Sequence, residues 1–171
     1  MNTKLIAAIA ASAAATALLV TGCSDDAGTA TPSSSGSAAP APASGKSSAS
    51  VDGKDVTAKF DTTCAKQGGV LALALTDAAN ATYGTLSVSA SVEGDTVQAV
   101  AIGGTQGGAN GLPYAVGFGN GQPGGSATLT KDGNTYRITG EGVSADMTNP
   151  MAGPTTAKFD VTFACATIVG A

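Results

Sequence analysis

The chain is 171 residues long, with 12 acidic and eight basic residues and a formal net charge of −4. An acidic chain without a cluster of Lys and Arg is poorly suited to neutralise phosphates, which argues against a nucleic-acid partner. The sequence contains no histidine, which excludes Ser-His-Asp and Cys-His nucleophile sites and the common zinc sites. We therefore expect a protein that is not an enzyme, with no catalytic residues, no metal and no cofactor.

Residues 1–22 have the organisation of an export signal. Lys4 supplies a positive charge, and residues 5–20 form an uninterrupted run rich in Ala, Leu, Ile and Val. At about 16 residues this run is shorter than the roughly 20 residues that a membrane-spanning helix needs, and it matches the core of a signal peptide. An uncleaved membrane anchor is the alternative. The sequence predicts that residues 1–22 are removed.

The sequence Leu-Val-Thr-Gly-Cys at 19–23 matches a lipobox, the processing site of lipoproteins. A diacylglyceryl transferase needs a thiol at the membrane surface, and the signal peptidase needs small residues before that cysteine. We therefore predict that Cys23 is lipidated and that the lipid anchors the chain to the membrane. The expected location is the outer face of the cell membrane in the cell envelope, and the expected partners include the lipoprotein processing enzymes.

Residues 23–50 are predicted to form the lipidated N-terminus and a disordered linker. Ser, Ala, Gly, Pro and Thr make up nearly all of 24–50, and no apolar periodicity offsets the entropy of ordering this backbone. Ser and Thr close to Pro are typical of O-glycosylated stalks. An unmodified linker is the alternative. The candidate O-glycosylation sites are Thr29, Thr31, Ser33, Ser34 and Ser35.

Residues 51–171 are predicted to form one β domain, because they are long enough for a core and alternate between apolar and polar residues. The alternation is clearest at 56–64, 86–92 and 158–165. Further strands are predicted at 70–75, 96–102, 113–118, 126–130 and 135–139, with hairpin turns at 93–95 and 131–134. Gly-rich loops are expected at 103–111 and 117–125, and single helical turns at 77–82 and 145–151.

This spacing of strands, without long helices, predicts an all-β fold. The expected architecture is an antiparallel β-sandwich or partly open barrel of about seven to eight strands. Once Cys23 carries lipid, Cys64 and Cys165 remain, and an even pair in an exported protein predicts a disulfide. Both cysteines are in phase with the apolar side of their strands, so the bridge would close the fold between its first and last strong strands. Two free buried thiols are the alternative.

Two further motifs match known patterns only formally. The glycines at 119, 121 and 124 have the spacing of a dinucleotide-binding fingerprint, but Pro123 lies among them and no helical pattern follows. We therefore attribute the match to a Gly-rich loop. The sequence Asn-Ala-Thr at 80–82 is an N-glycosylation sequon by pattern alone.

Three segments resemble the mycobacterial LpqH-type lipoprotein antigens: Val-Asp-Gly-Lys-Asp at 51–55, Thr-Lys-Asp-Gly-Asn-Thr-Tyr-Arg-Ile-Thr-Gly at 130–140, and Asp-Met-Thr-Asn-Pro-Met at 146–151. The resemblance extends to the lipobox, the linker and both domain cysteines, whereas the Gly-rich middle and the tail at 166–171 look less typical. It implies an exported, acylated and often glycosylated envelope antigen, whose lipidated N-terminus is sensed by host Toll-like receptors. It implies no catalytic residue.

Two functions from different classes remain open. In the first, the protein is a non-enzymatic, membrane-anchored antigen of the envelope. In the second, the β domain is a carrier for a lipid or other apolar ligand. A carrier needs a cavity of several hundred Å³ lined by apolar side chains, and a core rich in small residues is compatible with close packing and with empty space. We expect a filled interior, and hence the first function.

Overall fold

The computed structural model describes residues 45–111, 113–144, 151 and 153–171. Ten strands and one 3-10 turn, at Ala109–Gly111, organise this part of the chain. None of the described residues belongs to a helix long and apolar enough to cross a membrane. The strands are β1 (Ser48–Val51), β2 (Lys54–Asp55), β3 (Asp61–Gln67), β4 (Val70–Asn80), β5 (Gly84–Glu93), β6 (Thr96–Gly107), β7 (Pro113–Gly119), β8 (Ser126–Asp132), β9 (Thr135–Ser144) and β10 (Thr155–Ala164).

The ten strands form one antiparallel sheet, in the order β2-β1-β10-β9-β7-β6-β5-β4-β3, with β8 paired to β9 beside this path. The sheet curls into a half-barrel. This confirms the predicted all-β antiparallel fold. The sheet has more strands than the predicted seven to eight because β1 and β2, of four and two residues, add a short hairpin at one edge.

The core is built from alternate residues of each strand, because successive side chains of a strand point to opposite faces of the sheet. In β5 the buried residues are Leu86, Val88, Ala90 and Val92, and the serines between them are exposed or half-buried. The apolar run at 70–75 forms a strand, as predicted, but only every second residue of it is buried. The largest fully buried side chains are Phe163, Leu73, Leu75, Leu86, Ile102 and Ile138.

The N-terminal part of the first alternating segment differs from the prediction. The side chains of Val56, Ala58 and Phe60 are buried or half-buried, in alternation with exposed neighbours. Strand pairing nevertheless starts only at Asp61. The backbone N–H of Val56 instead donates to the carbonyl of Ala49 at 2.8 Å. The segment at 56–60 is therefore an extended connection that contributes to the core without joining the sheet.

The helical turn predicted at 77–82 is wrong. Strand β4 continues to Asn80, with an irregularity in its pairing to β5 between Asp77 and Asn80. Polar side chains in this segment accept hydrogen bonds from backbone N–H groups that a regular β-ladder would have paired. These N–H groups therefore do not need the hydrogen bonds of a helical turn. The second predicted turn, at 145–151, lies outside the described residues except for its last position.

The prediction of Gly-rich loops at 103–111 and 117–125 is wrong for their first residues. Strand β6 extends to Gly107, and β7 extends to Gly119. The glycines permit close packing instead of loops. A Cβ at Gly104 would lie 2.9 Å from the Tyr83 backbone oxygen and 2.9 Å from the Tyr83 Cβ, which is too close for any larger residue.

Candidate functional site

The predicted disulfide between Cys64 and Cys165 is present, with a Cα–Cα distance of 5.9 Å. Cys64 lies on β3 and Cys165 follows β10 directly, so the bridge joins an edge of the sheet to a strand near its other edge. Both cysteines are buried. The chain then returns along β3: Lys66 N–H donates to the Val169 carbonyl at 2.7 Å, and Val169 N–H donates to the Cys64 carbonyl at 3.0 Å.

The start of the β domain, next to the predicted linker, is held beside the disulfide. The Ser47 hydroxyl lies 2.6 Å from the Thr62 hydroxyl, and its oxygen accepts the backbone N–H of Ala164 at 3.0 Å. Ser47 therefore links β3 to the end of β10 beside the disulfide. The position at which the chain enters the β domain is thus fixed by side-chain contacts.

The predicted modification sites of the N-terminal segment lie outside the described residues. Lipidation and O-glycosylation of this segment therefore stay predictions. The residues concerned are Cys23, Thr29, Thr31, Ser33, Ser34 and Ser35.

The Asn80 amide of the formal N-glycosylation sequon has a structural role. It is 7% exposed, and its Nδ2 donates to the Thr57 carbonyl at 2.9 Å and to Asp77 Oδ2 at 3.0 Å. Its Oδ1 accepts the backbone N–H groups of Thr82 and Tyr83, each at 3.0 Å. The amide is therefore fully engaged in shaping the end of β4, and it is not a free acceptor for a glycan.

The carboxylate of Asp77 completes this network. Its Oδ2 accepts the backbone N–H of Lys59 at 3.0 Å. This hydrogen bond, followed by the one from the Asn80 amide, holds the pKa of the Asp77 carboxyl below its ordinary value. The network uses the carboxylate to fix the backbone, and we assign it no chemical function.

A cavity of about 330 Å³ opens at the end of the half-barrel where the β3–β4, β5–β6 and β8–β9 hairpins turn. We call it the mouth cavity. Its floor and walls are apolar or aromatic and come from five residues: Leu71, Val92, Leu129, Tyr136 and Ile168. Its rim carries four polar or charged side chains: Lys66, Asp95, Lys131 and Asn134.

The two lysines of the mouth cavity occupy inward-facing positions of their strands. Lys66 pairs with Leu71, and Lys131 pairs with Tyr136. Directly opposite residues of an antiparallel pair share one face of the sheet, and Leu71 and Tyr136 are both buried. Each lysine is the last inward-facing residue of its strand before a turn, so its charged end reaches solvent at the opening while its aliphatic stem borders the floor.

Lys131 also interacts with the aromatic wall. Its Nζ lies 5.5 Å from the centroid of the Tyr136 ring, within the range of a cation–π contact. This contact places one ammonium group over the buried floor of the mouth cavity. The charged side chains of the rim are two lysines and one aspartate, and Ala171, the last residue of the chain, lines the same cavity.

A second depression of about 460 Å³, here called the lateral cleft, adjoins the mouth cavity. It lies between the start of β6, the chain after β7, and β8. Asp95 and Leu129 line both spaces. The remainder of the lateral cleft is mixed, with the apolar Val97 and Phe118 beside amide and hydroxyl groups. The two spaces are therefore neighbours that share Asp95 and Leu129, and both lysines line the mouth cavity and not the lateral cleft.

The described residues contain no group of three or more His, Cys, Asp or Glu side chains that would hold a metal ion. The glycines at 119, 121 and 124 span the end of β7 and the connection to β8. A strand follows them, where a dinucleotide-binding fingerprint requires the N-terminus of a helix. The fingerprint match is therefore coincidental, as expected from the sequence.

Sequence reasoning missed the lysines of the mouth cavity. A signal was nevertheless present, since Lys66 continues the inward alternation of Cys64 by two residues and Lys131 continues that of Leu129. A charged residue at an inward-facing strand position, where the alternation predicts an apolar residue, indicates either the end of the core or a binding site. The alternation alone does not show that the two strand ends border the same space.

Comparison with known proteins shows similarity to lipoproteins over most of the chain. A family model described as Mycobacterium 19 kDa lipoprotein antigen matches residues 40–165. A protein of Mycobacteroides abscessus described as a lipoprotein is 40% identical over 170 residues, which cover 96% of this chain and 99% of the relative. Lipoprotein LpqH of Mycobacterium avium is 32% identical over 115 residues, 67% of this chain and 65% of the relative. For Lipoprotein LpqH of Mycobacterium tuberculosis the identity is 31% over 115 residues, 67% of this chain and 66% of the relative.

Proposed function

Because the chain belongs to the Mycobacterium 19 kDa lipoprotein antigen family, we propose that it is an exported, acylated antigen held on the outer face of the cell membrane. Acylation at Cys23 and removal of residues 1–22 supply the anchor. The lipobox at 19–23, behind a short apolar run, supports this processing. The resemblance seen in the sequence at 51–55 and 130–140 is confirmed by the family match.

The observation that carries the proposal is the packed interior of the half-barrel. Ten side chains, from Phe163 down to Cys165 in size, are less than 2% exposed. Asn80 is the buried polar side chain of the described residues, and its amide is occupied in the β4–β5 connection. Because side chains fill the middle of the domain, we assign its function to the exposed surface. This supports a non-enzymatic role in which the β domain is presented to the surroundings.

We propose further that host Toll-like receptors respond to the acylated N-terminus and not to the β domain. The native acylated chain should stimulate receptor-reporter cells, whereas the Cys23→Ala chain should lose most of the response because it cannot receive the lipid. Intact-mass measurement of the membrane-extracted protein should show a chain that begins at Cys23 and carries acyl mass.

The control is the Cys64→Ala/Cys165→Ala double variant, which also removes cysteines but leaves the acylation site intact. It should keep the reporter response even if its β domain is less stable. A Cys23→Ala chain that is processed normally and stimulates as strongly as the native protein would refute the proposal.

A second candidate function, a carrier for an apolar ligand, is favoured by the mouth cavity. Its volume of about 330 Å³ lies at the lower end of the range for ligand pockets, and buried apolar side chains form its floor. The packed middle of the domain limits such a ligand to one end of the half-barrel. Lipid that co-purifies with the Cys23→Ala chain in a one-to-one ratio would favour this function.

A further inference from the structure

We propose that the segment after the disulfide, residues 166–171, is a movable wall of the mouth cavity, and that its release admits an apolar ligand. We call this segment the strap. The inference rests on the carrier function that the mouth cavity favours, and it specifies how a ligand reaches the floor of that cavity.

The strap forms part of the wall around the apolar floor. Ile168 and Ala171 line the mouth cavity together with Leu71 and Tyr136, and Ile168 packs partly buried against the core. Leu71 is 7% exposed and Tyr136 is 5% exposed while the strap is in place. Release of the strap would open the cavity on this side and give a ligand access to these two side chains.

The attachment of the strap to the sheet is small. Among the described strands, β3 pairs with β4 alone, over seven residues. Along its other edge the strap forms a single parallel bridge, between Ala65 and Val169. Two backbone hydrogen bonds hold this bridge, at 2.7 Å to the Lys66 N–H and at 3.0 Å to the Cys64 carbonyl.

The side chains of the strap add little burial to this attachment. Val169 is 66% exposed, and Ile168 is half-buried. Segments with few buried contacts open locally at a lower free energy than the strands of the core. We therefore expect the strap to leave β3 while the remainder of the sheet stays folded.

The residue before the strap is fixed, which limits the movement to the strap itself. Cys165 is bonded to Cys64 and is 1% exposed, and its backbone N–H donates to the Asn134 carbonyl at 3.0 Å. Ala166 and Thr167, which follow, are exposed. Opening therefore starts after Cys165 and needs no change in the disulfide or in β10.

Gly170 offers a substitution that acts on the strap alone. Its φ is +79°, and a Cβ added there would collide with the Lys66 carbonyl oxygen. Gly153 has the same φ of +79°, but a Cβ added there meets no atom of the described residues within 4 Å. Gly170→Ala and Gly153→Ala therefore share the strain of a positive φ and differ in the collision with β3.

The first measurement is amide hydrogen exchange in the Cys23→Ala chain, which lacks a lipid of its own. The N–H groups of Val169 and Lys66 should exchange much faster than those in the middle of β5, because only the strap must open. Gly170→Ala should accelerate both by about tenfold or more, the effect of a steric collision in a packed site. Gly153→Ala should leave their exchange nearly unchanged relative to the middle of β5.

The second measurement is the rate at which the same proteins bind N-phenyl-1-naphthylamine, an uncharged apolar dye whose fluorescence rises in apolar surroundings. If the strap covers the entrance, Gly170→Ala should raise the association rate by about the same factor as the exchange rate, since both depend on the open population. Val169→Pro, which removes the N–H donated to the Cys64 carbonyl, should act in the same direction. Gly153→Ala should bind the dye at the parent rate.

Three results would overturn the inference, and each has a different meaning. Exchange of the Val169 N–H only through global unfolding would show that the strap is a fixed part of the domain. Faster exchange in Gly170→Ala and Val169→Pro with an unchanged dye rate would place the entrance elsewhere and leave the carrier function in place. Absence of dye binding by every protein would refute the carrier function and this inference with it. The antigen function is independent of all three, since its test depends on Cys23.

Discussion

At the scale of single residues, the end of β4 depends on two polar side chains. The Asp77 carboxylate accepts the backbone N–H of Lys59 in the segment before β3. The Asn80 amide donates to the carbonyl of Thr57 in that segment and accepts the backbone N–H of Thr82 in the β4–β5 connection. Buried backbone donors and acceptors cost free energy if they lose their partners. Asp77, in the predicted helical turn at 77–82, and Asn80, in the formal glycosylation sequon, are therefore the residues that shape the end of this strand.

The Asp77 network predicts a specific dependence of stability on pH. The pKa of Asp77 is lowered in the folded state, first by the Lys59 N–H and then by the Asn80 amide. Its contribution to the free energy of unfolding is therefore fully present above the unfolded pKa of about 3.9 and is lost as the pH falls through the lower folded pKa. Asp77→Asn should remove this contribution, so that urea denaturation at a series of pH values shows a shallower loss of stability in acid. Parallel pH profiles for the two proteins would contradict the assignment.

At the scale of elements, β9 is the strand on which the sheet branches. One of its edges pairs with β10, and the other pairs first with β8, from Thr135 to Glu141, and then with β7 at Val143–Ser144. Gly140 and Gly142 lie where these partners meet. A Cβ at Gly140 would collide with the Ser126 carbonyl oxygen, the ring of Phe159 and the Ala127 backbone. Glycine at this position therefore lets β8 approach β9 beside the core.

Gly140→Ala should destabilise the domain by about 1–3 kcal/mol, the usual cost of adding atoms to a well-packed site. The matched control is Gly117→Ala on β7, where the added Cβ would meet only the Val100 carbonyl, at 3.9 Å. That substitution should be close to neutral. Denaturation midpoints of the two variants measure the difference. A Gly140→Ala protein as stable as Gly117→Ala would show that the branch of the sheet adjusts freely.

At the scale of the whole molecule, the two ends of the sheet are joined by contacts that do not belong to the strand ladder. The Cys64–Cys165 bridge, the Ser47 hydroxyl and the return of Val169 along β3 all lie at this closure. The cysteines are 101 residues apart in sequence. A cross-link over so long a segment removes much of the conformational freedom of the unfolded chain.

Cys64→Ala/Cys165→Ala should therefore lower the free energy of unfolding by about 2–5 kcal/mol, a range that includes the chain-entropy value of about 4.7 kcal/mol for a loop of this size. Urea denaturation of the variant against the oxidised parent measures this loss. The Cys23→Ala chain serves as the control, because its substitution removes a cysteine outside the bridge. An unchanged denaturation midpoint in the double variant would show that the other closing contacts suffice.

The sequence by itself determined the features that arise within short segments. Alternation at 86–92 and 158–165 predicted strands because a strand presents successive side chains to opposite faces. Gly and Asp or Asn predicted the turns at 93–95 and 131–134 because these residues accept turn backbone conformations. The Cys64–Cys165 bridge followed from counting, since two cysteines remained for pairing within the domain. Each of these inferences needed only neighbouring residues or the number of cysteines.

Only the tertiary structure decided which segments meet. The glycines at 103–107 and 117–119 indicated loops in isolation, but they lie in β6 and β7, and a Cβ at Gly104 or Gly107 would collide with Tyr83. The mouth cavity has the same origin. Lys66 and Lys131 are 65 positions apart in the chain, and the curl of the sheet brings both to one opening. Local patterns carry no information on that curl, because it results from the packing of side chains that are distant in sequence.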